Sequence, residues 1–190
     1  MLPIAKYIVN ACWGIFFIVW LLAAIFTKRT VYRESAGQRL RYMLPIVVGW
    51  LLLFRGYRLP PPLGSPLIPR TDVILFVVVL LSICGVSFCV WARFVLGRNW
   101  SGTVTLKEDH ELIVRGPYRL VRHPIYTGLL TLILGTAILT GHVAGLIAVA
   151  VVAASFWIKL QSEEEVMRKQ FPGQYSAYEH RVKRIIPFVL

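Results

Sequence analysis

Ile4 to Phe26 is an almost uninterrupted apolar run, broken only by Lys6 and Asn10 near its start. A helix of about 20 such residues is what crosses a hydrocarbon core of roughly 30 Å. Val73 to Leu96 repeats the pattern, with Arg93 close enough to its end for the guanidinium to snorkel to the interface. From Tyr126 to Leu160 no charge occurs before Lys159, a stretch too long for one span and interrupted by Thr140, Gly141 and His142, which predicts a tight helical hairpin. Tyr42 to about Leu59 supplies the fifth span: its uncharged core ends at Phe54, so Arg55 and Arg58 must reach the far interface. Pro60, Pro61, Pro62, Gly64, Pro66 and Pro69 then predict a stiff external loop that is not helical throughout. The expected fold is an all-α integral membrane protein with about five transmembrane helices and a C-terminal helical segment on the cytoplasmic side. We expect a single membrane domain over residues 1–190, with three helices in 1–96 and the hairpin 126–160 within 97–190.

A hydrophobic share of 57% is too high for a soluble domain whose surface must carry many charges. The net charge of +12 suits either a nucleic acid or an anionic membrane, and its distribution favours the membrane. Residues 27–41 carry five Lys and Arg, 93–122 carry six and 159–184 another six, leaving Lys6, Arg55, Arg58 and Arg70 for the opposite side. By the positive-inside bias the first three groups, and the C-terminus with them, are expected to be cytoplasmic. No cationic segment precedes the first span, and Lys28 and Arg29 follow it, so it reads as an uncleaved anchor. Cys12, Cys84 and Cys89 lie inside apolar runs without metal-ligand spacing, so neither disulfide nor metal is expected. The tripeptide Asn99-Trp100-Ser101 matches a glycosylation acceptor by chance, since it falls on the basic side.

Polar residues concentrate in 97–126 and 159–184, which flank the hairpin and must meet at its mouth. The first contains Gly116-Pro117-Tyr118-Arg119 and Arg122-His123-Pro124-Ile125-Tyr126-Thr127-Gly128. Pro124 suits the first helical turn, and Gly128 permits close helix approach. The second contains Glu163, Glu164, Glu165, Phe171, Tyr175, Tyr178, Arg181 and Arg184. Three adjacent carboxylates at an anionic leaflet require a cationic or donor-rich partner. Taken singly, each has a plain reading: Arg119 and Arg122 as interface anchors, His123 as a structural histidine, the glutamates as a solvated face, the tyrosines as belt residues.

Together, the order and spacing resemble the isoprenylcysteine carboxyl methyltransferase and phospholipid methyltransferase superfamily from about Leu96 to Phe188. The shared pattern is Gly-Pro-Tyr-Arg, Arg-His-Pro-x-Tyr-x-Gly, an apolar hairpin, Glu-Glu, Phe with Tyr four residues on, and Ile-Pro-Phe. The resemblance implies a membrane-embedded enzyme that uses S-adenosylmethionine, held by Arg122, His123, Pro124, Tyr126, Gly128, Glu163 and Glu164. Pro172 stands where that family usually has Gly, which bears on the turn before Tyr175. The residue types suit this cofactor, whose sulfonium, ammonium, carboxylate and adenine call for carboxylates, cationic donors and an aromatic together. A glycine-rich Rossmann turn is missing, since the sequence has no GxG, so no Rossmann domain is expected.

The implied reaction is methylation of a lipophilic acceptor entering from the bilayer, an isoprenylcysteine-type carboxylate ahead of a phospholipid amine. Glu164 and Arg181 are the residues expected nearest the reacting centre, Arg181 because its fork can orient a carboxylate. A non-catalytic lipid-binding protein, whose basic loops engage anionic headgroups, is the competing class. A nicotinamide-dependent sterol reductase is a third, for which the chain is short. The partners expected are membrane lipids and a lipid or prenylated substrate, and no nucleic acid. The enzyme reading requires His123 and Glu163 to face one another across one cavity.

Overall fold

The computed structural model describes residues 1–108 and 111–189. Its helices are α1 (Leu2–Ala24), α2 (Ala36–Arg55), α3 (Asp72–Leu96), α4 (Pro124–Thr140), α5 (Val143–Gln170) and α6 (Gln174–Arg181). By length and composition α1, α2, α3 and α5 are long and apolar enough to cross a membrane, whereas α4 is shorter, with 17 residues. These five apolar helices lie over the expected apolar runs, and four of them have the length of a span. The helix over the Tyr42 run differs at its start, because α2 begins at Ala36. Ser35 accepts from the Gln38 backbone N–H, and the Gln38 side chain accepts from the Ser35 N–H, a capping box that starts the helix two turns before its apolar part.

In a bilayer the hydrophobic effect does not drive helices together, so close packing and polar links must. α3 and α4 meet at Gly85 and Gly128, where a Cβ on Gly128 would lie 2.6 Å from the Gly85 carbonyl oxygen and 2.7 Å from Cys89 Sγ. α1 is tied to α4 by Trp13, whose indole N–H donates to the Thr136 hydroxyl at 3.0 Å. α2 packs along α5, where the Ser155 hydroxyl donates to the Tyr42 carbonyl. At the far end, the proline-rich loop covers the hairpin turn: Leu67 N–H donates to the Gly141 carbonyl, and Val143 and Ala144 donate to Ser65 and Leu63.

The other end carries a feature the helical pattern does not foretell. Residues Thr30–Arg33 (β1) pair antiparallel with Thr105–Lys107 (β2) in a short ribbon. Buried Glu34 follows β1, accepting from the Val104 N–H at 3.1 Å and from the Tyr42 hydroxyl. Arg93 does not snorkel but is buried, its guanidinium donating to the Ala23 and Gly97 carbonyls at 2.6 Å each and lying over the Trp100 ring. It thereby adds a second, stronger donor to carbonyls at the C-terminal ends of α1 and α3 that otherwise accept only long backbone bonds of 3.3 and 3.4 Å.

Candidate active site

His123 immediately precedes α4, and Pro124 occupies the first helical turn, where its missing N–H is not needed. The N–H groups of Arg122 and His123 donate instead to the carbonyls of Lys183 and Arg184 at 2.7 and 2.9 Å. Thr127 Oγ1 adds a bond to the Ile185 carbonyl at 2.7 Å, so the C-terminal segment lies alongside the Arg-His-Pro motif. The turn that brings it there is intact despite Pro172, because Gly173 adopts φ +79° and Tyr175 N–H bonds back to the Phe171 carbonyl.

Glu164, on α5, is fully buried, 0% exposed. Its Oε1 accepts from Arg122 Nε and Nη2 at 2.9 and 2.8 Å and lies 3.1 Å from His123 Nε2. Its Oε2 accepts from Arg184 Nη2 at 3.0 Å and from Arg168 Nη2 at 3.3 Å. Since a carboxylate only accepts, His123 Nε2 carries the hydrogen. One carboxylate thus gathers side chains from before α4, from α5 and from the C-terminal segment. Arg122 also donates to the Glu179 and Val182 carbonyls, and Arg168 pairs with Glu179, holding its carboxyl below the usual range through their hydrogen bond.

Glu163 faces elsewhere. Its Oε1 accepts from the Tyr126 hydroxyl at 2.7 Å and lies 3.8 Å from Lys159 Nζ, while its Oε2 lies 3.6 Å from His123 Nδ1. His123 and Glu163 therefore do face one another. The imidazole stacks on Tyr126 and Tyr126 on Phe156, with centroid separations of 5.6 and 4.7 Å. Lys159 is buried among these groups, donating to the Gly102 carbonyl at 2.8 Å and lying near the rings of Tyr42 and Tyr126.

A cavity of about 570 Å³ opens over this cluster. It is lined by charged and polar side chains, Arg122, His123, Tyr126, Lys159, Glu163 and Glu111, and by apolar side chains of α1 and α2, Phe16, Trp20, Met43 and Ile46. Tyr118, Tyr175 and Tyr178 also line it, and burial pushes each phenol well above its usual pKa, keeping it a protonated donor. The Tyr178 hydroxyl donates to the Tyr118 carbonyl at 2.6 Å.

Of the residues singled out in the sequence, Arg122, His123, Pro124, Tyr126 and Glu163 line the cavity, and Glu164 braces them from behind. Gly128 is a packing residue against Gly85, away from the cavity lining. Arg181 is not brought to the site: it is exposed, and its Nε donates to the Ala177 carbonyl of its own helix. Lys159 was legible only as a cation one helical turn before Glu163. Phe16, Trp20, Met43 and Ile46 carried no signal beyond their apolarity.

Residues 73–174 match the model of the phospholipid methyltransferase family. The match takes in α3 apart from its first residue, further toward the N-terminus than the motifs alone reached. Among curated relatives, protein-S-isoprenylcysteine O-methyltransferase B of Arabidopsis thaliana is 36% identical over 96 residues, 49% of this chain and 49% of that protein. The probable protein-S-isoprenylcysteine O-methyltransferase of Oryza sativa subsp. indica is 29% identical over 172 residues, 89% of this chain and 87% of that one. Protein-S-isoprenylcysteine O-methyltransferase of Schizosaccharomyces pombe is 31% identical over 96 residues, covering 49% of this chain and 41% of the relative. The chain thus spans about half the length of the Arabidopsis relative and most of the length of the rice one.

Proposed function

The chain belongs to the phospholipid methyltransferase family, and from that premise we propose that it transfers a methyl group from S-adenosylmethionine to the carboxylate of an isoprenylcysteine-type acceptor. The observation that carries this reading is one cavity lined both by charged side chains and by apolar side chains of α1 and α2. A volume of about 570 Å³ falls within the range of roughly 300–1,000 Å³ typical of small-molecule sites. Met43 both lines the cavity and is 42% exposed, so the apolar lining reaches the surface between α1 and α2, where lipid would lie.

The donor set fits the cofactor. Glu163 presents a carboxylate to a cationic group, Tyr126 and His123 offer stacked aromatic faces, and Arg122 and Lys159 are positive beside them. When bound, S-adenosylmethionine supplies an electrophilic methyl on a sulfonium. The chain's own residues align and dry the site: the Tyr126 hydroxyl holds Glu163 in place, the His123–Tyr126–Phe156 stack walls one side, and Lys159 turns its ammonium toward an acceptor carboxylate. A carboxylate is ionised at neutral pH and needs no general base, whereas an amine acceptor must first lose a proton. Arg122 and Lys159 line the cavity together with Glu111 and Glu163, so the anionic acceptor is favoured because it needs no general base.

On this reading residues 97–190 contribute the ionic half, α1 and α2 contribute the lipid half, and the basic end of the bundle lies in the cytoplasm. Purified protein supplied with methyl-labelled S-adenosylmethionine should label prenylcysteine acids and not phosphatidylethanolamine. Label in the phospholipid alone would refute the carboxylate reading. Transfer to neither, together with no calorimetric binding of the cofactor, would leave a lipid-binding role instead.

A further inference from the structure

The segment from Asn99 to Thr105 forms a roof over the cavity, lined by Asn99, Trp100, Ser101, Gly102, Thr103 and Thr105. It is held from several sides. Lys159 Nζ binds the Gly102 carbonyl at 2.8 Å, Val104 N–H binds Glu34 at 3.1 Å, and Glu34 N–H returns a bond to the Val104 carbonyl at 3.1 Å.

Two atoms of this roof stand out from those bonds. Asn99 Oδ1 and Thr105 Oγ1 are buried, on residues each 8% exposed, and neither has a hydrogen-bonding partner among the described residues. An unpaired buried polar atom destabilises a protein, and Leu or Val would occupy the same space without that cost. Both residues line a ligand-sized cavity, and their orphaned atoms are accounted for if a side-chain rotation on binding brings them to a ligand that supplies the missing partners.

The chemistry of the two atoms narrows the ligand. Both are neutral, so they do not complement the charged end of a methyl donor, which Glu163, His123 and Arg122 already suit. A carboxamide presents an acceptor and a donor side by side, the arrangement that pairs with an adenine amino group and the adjacent ring nitrogen. Asn99 is moreover followed by Trp100, whose ring meets Trp20 edge-on at 6.2 Å, giving the roof a flat aromatic border. We propose that Asn99 reads the exocyclic amine of the cofactor's adenine, with Thr105 bonding a second polar group of the same nucleoside. The proposal rests on the S-adenosylmethionine reading above and names the residues that select its base. A roof fixed at Gly102 and Val104 is preorganised for such discrimination.

The test compares calorimetric affinities for S-adenosylhomocysteine and S-inosylhomocysteine, which differ by an amino group against a carbonyl on the base. The wild-type protein should favour the adenine form by about ten- to a hundredfold, the range for a bidentate amide contact. Asn99→Leu should bring that ratio close to one by weakening the adenine form, with its thermal midpoint equal to or above the wild type. Thr105→Val should weaken both ligands by a similar few-fold and keep the ratio. Should Asn99→Leu not purify, Asn99→Asp retains an acceptor oxygen and should retain the preference, while Asn99→Ala should lose it. An unchanged ratio in the leucine or alanine variant would overturn the assignment, as would equal binding of both nucleosides by the wild type. A rise in acceptor KM with the nucleoside ratio untouched would give the atom to the acceptor and likewise overturn it. Failure of the wild type to bind either nucleoside would overturn the cofactor reading itself.

Discussion

Two adjacent glutamates on one helix should fail in opposite ways when neutralised. Glu164→Gln keeps the side-chain volume and an acceptor oxygen but removes the negative charge from beneath three guanidiniums and an imidazole. Arg168 and Arg184, with side chains 41% and 26% exposed, can turn toward water, so each loses only the roughly 0–1 kcal/mol of a surface pair. Arg122 cannot, being buried, and breaking a buried pair from one side costs about 3–5 kcal/mol. A retained glutamine acceptor places the expected loss near the low end, about 3 kcal/mol. For a chain of this size that is a fall of about 6–12 °C in the unfolding midpoint. Glu163→Gln keeps its bond from Tyr126 and loses only a 3.8 Å pairing with buried Lys159, which retains its bond to the Gly102 carbonyl, so it should destabilise the protein by less than Glu164→Gln does. Its loss should appear in cofactor affinity, about ten- to a hundredfold, because a charge-assisted contact with a cation is worth about 1.5–3 kcal/mol. Thermal unfolding and calorimetry of both variants in one detergent separate the two effects. Equal destabilisation by the two substitutions, or a Glu164→Gln protein with wild-type stability and lost binding, would refute the division into a brace and a ligand-facing carboxylate.

Other substitutions probe the remaining contacts. Gly128→Ala should lower the yield of monodisperse protein on size exclusion, since its Cβ would sit 2.6 Å from the Gly85 backbone oxygen and neither helix can shift without the other. Lys159→Gln should raise the KM for a prenylcysteine acid by about tenfold while cofactor affinity, read by calorimetry, moves less than threefold, as expected of one charge-assisted hydrogen bond. Arg181→Ala should leave kcat and KM within about twofold of wild type in the same transfer assay, because its guanidinium is exposed and bonds its own helix, the magnitude typical of a surface change.

The helices were readable because a bilayer demands long apolar runs and little else yields them. The start of α2 was hidden in plain view: Ser35 and Gln38 form a capping box, yet Arg39 and Arg41 between them and the apolar stretch obscured it. The β1–β2 ribbon was not legible, because its strands lie 72 residues apart counted from Arg33 to Thr105 and have no alternating pattern long enough to declare them. For the site, the motif residues before α4 and on α5 were visible by type and spacing. The split of duties between Glu163 and Glu164 was not, since adjacent helix positions point about 100° apart and only packing decides which one meets the cavity. Arg181 illustrates the opposite error, a cation near the site in sequence whose helix turns it outward.

The charge arrangement bears on why such a site works at the edge of a membrane. Three guanidiniums share two carboxylates, Glu164 and Glu179, which leaves positive charge in excess beneath Arg122 and His123, and Lys159 adds to it on the cavity side. Glu163 is the counterweight that faces the cavity. A cationic ligand held at Glu163 would cancel the carboxylate beside Lys159, leaving that ammonium without its partner at 3.8 Å and free to pair with another anion. Binding of a cation on one side would thereby strengthen the pull on a carboxylate at the other. The two ligands of the proposed reaction, one positive and one negative, would then bind with mutual reinforcement through Glu163 and Lys159, and an amine acceptor, positive before it loses its proton, would gain nothing from that exchange.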